Sequence, residues 1–109
     1  MRNLKHRSKA QLGQIVKVLK GRDAGMYCVV TNLIDDRYVL VADGQRHKFD
    51  APKRKNIQHL EFIPFISNEV VHSLQDIGRV TNAKLRYAVE AYVKSININA
   101  EEKGDCISG

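Results

Sequence analysis

The strongest constraint on this chain is how often turn residues interrupt the stretch from Gly13 to Phe65. "GRDAG" (21–25), "DDR" (35–37) and "DG" (43–44) separate runs rich in Val, Ile, Leu and Tyr. Breaks this close leave no room for helices of ordinary length, whereas strands of about four to eight residues fit between them. The pattern predicts strands over 14–20, 26–34, 38–42, 45–50 and 59–63. Asp43-Gly44 reads as a two-residue hairpin turn, because both residue types tolerate positive φ. Pro52 is expected to end the fourth strand and Pro64 to close the fifth. Five short strands joined by tight turns within about 50 residues imply a small antiparallel barrel.

Beyond Pro64 the apolar period changes from strand-like to helical. Ser67 is an expected N-cap for a helix over 68–77, and Gly78 its stop. Thr81 or Asn82 then opens a second helix over 82–96. Within it Leu85, Ala88, Val89, Tyr92, Val93 and Ile96 recur at spacings of three and four, making one apolar stripe. That stripe can pack on the barrel or dock a protein partner, and the pattern alone leaves both open. The expected organisation is a basic arm over 1–12, a barrel over 13–65, a short helical extension over 66–98 and a disordered tail over 99–109. The fold class is mainly β.

Charge narrows the function. Residues 1–65 carry 13 Lys/Arg against 6 Asp/Glu, a net of +7, while residues 66–109 carry 5 against 6, a net of −1. From Arg2 to Arg22 there are seven cations and no acid. Such an imbalance favours a polyanionic partner over a merely solvated basic surface, and nucleic acid is the commonest polyanion. No apolar run approaches the roughly 18 to 20 residues of a membrane-spanning helix, and "MRNLKHRSKA" has no apolar stretch behind it to make a secretory signal. The expected location is cytoplasmic, with Cys28 and Cys106 as free thiols.

The loop "KVLKGRDAGMYCVV" (17–30) is the first chemical candidate, because glycines beside cations can cradle a phosphate. A nucleotide loop, however, needs GxxxxGK with Ser or Thr and then a helix. Here the spacing is GxxxG and the next segment is strand-like, so Gly21 and Gly25 read as the glycines of a hairpin loop. His6, His47, His59 and His72 accompany no nucleophile motif, and Cys28, His47 and His59 show no metal-ligand spacing. Asp35-Asp36 sits where turns favour Asp. The chain is therefore expected to be no enzyme, with no cofactor, no metal site and no small-molecule substrate. Tyr27 and Tyr38 would face outward if Cys28 and Val39 face in. Core or half-core packing is the favoured reading of the aromatic residues, so phosphate contact is expected before base stacking.

Two basic groups remain. Lys17 and Lys20 flank the glycine loop and Arg22 lies inside it; Arg46, Lys48, Lys53, Arg54 and Lys55 form the second group. In a small barrel adjacent loops and strand ends can bring both to one side, where they would neutralise backbone phosphates together with Arg2, Lys5 and Arg7 of the arm. Charge alone does not separate RNA from DNA. A DNA-binding regulator is disfavoured because the best candidate helix, 82–96, sets only Lys84, Arg86 and Lys94 against Glu90.

"GQIVKVLKGRDAGMYCVVTNLIDDRYVLVADG" (13–44) resembles a KOW motif: a β-branched strand, Gly21, a charged turn, Gly25 and a long apolar strand. "KFDAPKRKNIQHLEFI" (48–63) is similar to the end of the fourteen-e family of archaeal and eukaryotic large-subunit ribosomal proteins, in which a basic stretch precedes an N-x-x-H-L segment. Asn56, His59 and Leu60 match that segment. Bacterial KOW-domain RNA-binding proteins with a C-terminal extension look similar over the same region. The resemblance implies an SH3-like barrel that binds ribosomal RNA or the ribosome. It assigns Gly21 and Gly25 to the loop and Lys20, Arg22, Lys53, Arg54 and Lys55 to the RNA-facing surface. The expectation is an RNA-binding protein of translation, ribosomal or ribosome-associated, whose partner is ribosomal RNA of the large subunit. The alternative is an interaction module that docks a ribosomal or transcription protein through the C-terminal helices.

Overall fold

The computed structural model describes the backbone of residues 10–108 and the side chains of residues 10–97. Arg2, Lys5 and Arg7 lie outside the described residues. Five antiparallel strands form one sheet: β1 (Gln14–Val18), β2 (Tyr27–Leu33), β3 (Tyr38–Ala42), β4 (Lys53–Asn56) and β5 (Leu60–Ile66). A single 3-10 turn, Ile57–His59, joins the last two. The sheet order is β4-β3-β2-β1-β5. Two helices follow, α1 (Asn68–Ile77) and α2 (Asn82–Ser108). The small barrel with an appended helical pair is the fold the turn spacing implied.

Alternation along the strands gives two apolar layers. Val16, Val18, Cys28, Val30, Val39, Val41 and Leu60 fill the barrel interior. Ile15, Val29, Ala42 and Ile63 point the other way, onto Val70, Val80, Leu85 and Ala88. The central strands are thus buried on both faces, which is why "CVV" in β2 is an unbroken apolar run. The apolar stripe of α2 is used against the barrel. Tyr92 reaches furthest along it, packing edge-on to Tyr27 and Phe65 at centroid distances of 5.2 and 5.4 Å.

Glycine lets the helices approach. Gly13 has φ +79°, and a Cβ there would stand 2.6 Å from Val71 Cγ2 in α1. Gly44 has φ +84°, and its Cβ would run into the Asn82 carbonyl and Arg86 Cγ in α2. At this contact Arg86 Nη1 donates to the Gly44 carbonyl at 3.1 Å, and Asn82 Oδ1 accepts from the Phe49 N–H at 2.8 Å. Ser67 caps α1 by accepting from the Val70 N–H, and Gly78 ends it in the left-handed region at φ 74°.

The structure corrects three expected boundaries. The fourth strand is not 45–50 but Lys53–Asn56. The Asp43 carboxylate accepts from the Gln45 and His47 N–H groups, and the Asp43 and Gly44 N–H groups both donate to the His47 carbonyl. The chain therefore curls after Asp43 instead of returning as a two-residue hairpin, and pairing with β3 begins only after Pro52. Pro64 does not end β5; it lies within it, which an outermost strand of the sheet tolerates. The second helix, expected over 82–96, continues through Ser108 across the stretch read as a disordered tail. No proline interrupts it, and the helix outlasts its apolar stripe.

Candidate nucleic-acid interface

The glycine loop is a hairpin loop held from inside. Gly21 and Gly25 have φ of 92° and 94°, and a Cβ at either would meet nothing within 4 Å. Glycine is needed there for backbone conformation, not for space. The Ala24 N–H donates to the Gly21 carbonyl, Gly25 to Val18 and Met26 to Asp23, at 3.1, 2.7 and 2.9 Å. Those N–H groups point into the loop's own carbonyls. They cannot form the inward-facing ring that encloses a nucleotide phosphate.

Asp23, inside that loop, is the residue sequence reasoning missed. It is 5% exposed. Its carboxylate meets His47 Nε2 at 2.8 Å, Arg46 Nε at 3.2 Å and Lys55 Nζ at 3.4 Å. The His47 hydrogen bond, followed by its charge and the Lys55 contact, holds the Asp23 carboxyl below the usual aspartate value despite its burial. Asp23 thereby clamps the β1–β2 loop to residues 46–55. The loop that carries Arg22 is in this way joined to the segment that carries Arg46 and Lys55. The available signal was a lone acid between the glycines of a cationic loop. Its partners, more than 20 positions away, were not legible.

The cations do not all face outward. Lys20, Arg22, Lys48, Lys53 and Arg54 are exposed. Arg46 keeps 59% of its side chain in solvent while touching Asp23. Lys55 is only 12% exposed in its side chain and points at Asp23. The alternation of β4 explains this: Lys53 and Lys55 stand opposite Val41 and Val39, whereas Arg54 stands opposite Leu40 on the other face. Arg54 lies over the Tyr38 ring, with Cζ 4.5 Å from the centroid. Lys17 is half-buried, paired across the sheet with Tyr27 and Glu61, its Nζ 5.8 Å from the Tyr27 centroid. The run "KRK" (53–55) is therefore three differently placed side chains and not one patch.

The N-x-x-H-L segment has a structural logic. Asn56 Oδ1 accepts from the Gln58 N–H at 2.8 Å and caps the 3-10 turn. The His59 carbonyl accepts from the Leu19 N–H at 2.8 Å, tying this turn to the exit of β1. Leu60 then enters the barrel core. Asp35 Oδ1 accepts from the Arg37 and Tyr38 N–H groups, the local turn bonding expected of "DDR". Among the described residues no group of three or more His, Cys, Asp or Glu is placed to hold a metal ion. No described helix is long and apolar enough to cross a membrane.

No family model matches the chain. Individual relatives do. The chain is 38% identical over 71 residues to the putative ribosome-binding protein YbzG of Bacillus subtilis, covering 65% of this chain and 96% of that protein. It is 28% identical over 88 residues to the large ribosomal subunit protein eL14 of Hyperthermus butylicus, covering 73% and 90%. With eL14 of Saccharolobus islandicus the identity is 41% over 51 residues, 47% of this chain and 53% of that protein. Such likeness, extending over nearly all of YbzG, places the chain in one family with that ribosome-binding protein, a family similar to eL14 over the barrel.

Proposed function

We propose that this protein binds ribosomal RNA of the large ribosomal subunit in the cytoplasm and serves translation as a binding protein without catalytic chemistry. The observation that carries the proposal is the Asp23 clamp, which draws the β1–β2 loop and the 46–55 segment together. Lys20, Arg22, Lys48, Lys53 and Arg54 are thereby left in solvent on neighbouring loops and an outer strand. Relatives named as a large-subunit ribosomal protein and a putative ribosome-binding protein support the same reading. The grip is electrostatic: side-chain cations neutralise backbone phosphates, and the rigid barrel sets their spacing. Lys55 and, in part, Arg46 serve by shaping the surface. A protein partner on the C-terminal helices has less support, because Leu85 and Ala88 of the apolar stripe are buried on the barrel.

Sedimentation of cell lysate through sucrose gradients tests the proposal. Co-migration with the large subunit at low salt, and release at high salt, is expected. Absence from every ribosomal fraction at low salt contradicts it.

A further inference from the structure

The outer face of the sheet is only partly covered. Ile15, Val29, Ala42 and Ile63 lie under the helices, and helix–sheet contact is concentrated on β1 and β2. The same face continues along β3 and β4 by alternation: Leu40 and Tyr38 follow Ala42, Arg54 stands opposite Leu40, and Asn56 stands opposite Tyr38. On the other side of Leu40 stands Asn32 of β2. Arg54 and Asn32 are exposed, and Tyr38 and Leu40 are half-exposed. This end of the face is a small strip with an aromatic ring, an arginine lying on it and an amide about 10 Å away across two strand spacings.

We propose that this strip receives an unpaired RNA base, stacked on the Arg54 guanidinium that Tyr38 holds in place. The inference rests on the RNA-binding reading and adds to it a site for a base beside the sites for phosphates. A guanidinium is planar and weakly hydrated, and with Tyr38 beneath it one face remains open to solvent. Unpaired bases stack on such planes and on aromatic rings, which the bases of a duplex cannot do while paired. Asn32 offers both a donor and an acceptor to the edge of a base lying over Leu40. The positive charge of Arg54 suits the phosphates flanking that base. The strip's apolar content is Leu40, one tyrosine ring and Ile34, whose N–H donates to the Tyr38 carbonyl; the charged Arg54 among them favours a nucleic-acid base over an apolar protein partner.

The test compares two RNAs of equal phosphate number, a single-stranded oligoadenylate and a blunt duplex, titrated into the full-length protein at one salt concentration. Arg54→Lys keeps the charge and removes the plane, and Tyr38→Phe keeps the ring. Arg54→Lys is expected to weaken oligoadenylate binding about tenfold while leaving duplex binding within about twofold. Tyr38→Phe should bind both RNAs like the wild type, and Tyr38→Leu should repeat the loss. Equal effects of Arg54→Lys on both RNAs, or no effect on either when the wild type binds both, overturn the stacking site and leave the RNA-binding reading standing. A wild type that binds neither RNA overturns both.

Discussion

Lys55 Nζ lies 3.4 Å from Asp23 Oδ2, so the last lysine of the basic run "KRK" faces the β1–β2 loop and is largely withdrawn from solvent. This pairing divides the cations into those that can meet phosphate and those that hold the surface together.

Lys55→Gln should therefore act on stability, costing roughly 1–2 kcal/mol, because the buried Asp23 keeps His47 and Arg46 as partners. Lys53→Gln should leave stability within about 0.5 kcal/mol, as an exposed substitution does. Asp23→Ala, which strands His47 and Lys55 together, should cost more than either, roughly 2–4 kcal/mol. Urea unfolding of the three variants checks the ranking.

The Asp23 clamp also fixes a pH dependence. Its carboxyl titrates below the usual aspartate value in the folded chain, chiefly through the His47 hydrogen bond. Its contribution is thus fully present above the unfolded-state value and is lost as pH falls through the folded value. The stability difference between wild type and Asp23→Asn should be constant just above the carboxylate range and shrink below about pH 4. A difference that stays constant down to about pH 2 contradicts the assignment.

Gly44 and Gly25 both have positive φ, yet they should respond differently to alanine. At Gly25 only the backbone strain is incurred, about 1–2 kcal/mol. At Gly44 the new methyl also strikes the first turn of α2, so Gly44→Ala should loosen that helix from the barrel. Limited proteolysis should cut α2 sooner in Gly44→Ala than in Gly25→Ala.

Cys28 is buried in the barrel interior, where desolvation first and the nearby Asp43 and Asp23 charges second push its thiol up to about 12. Peptide-resolved alkylation at neutral pH should leave Cys28 unmodified in the folded protein and label it on unfolding.

These outcomes also mark where the sequence was informative. The barrel and an amphipathic second helix were legible, because Val16 and Val18 alternate with Ile15 and because Leu85, Ala88 and Tyr92 share one helical face; that this face packs on the barrel was not. The fourth strand was misplaced because a single carboxylate, Asp43, captures two N–H groups and turns a hairpin signal into a curl. That the glycine loop and the 46–55 segment carry many cations was legible, but which of those side chains face solvent was not. Whether Lys53, Arg54 or Lys55 faces solvent depends on register against β3 and on an acid 32 positions from Lys55. Val39 does face in, which puts the half-buried Tyr38 on the opposite face, but its contact with Arg54 needed that same register.

The most direct measurement is the salt dependence of binding to large-subunit ribosomal RNA for the wild type, for Lys20→Gln/Arg22→Gln/Lys53→Gln and for Lys55→Gln. If exposed cations neutralise phosphates, the triple variant should flatten the slope of log K against log salt by about 2. Lys55→Gln, measured where it remains folded, should keep the wild-type slope. A triple variant with the wild-type slope would contradict the account, because the exposed cations Lys20, Arg22 and Lys53 would then not be the groups that meet the RNA.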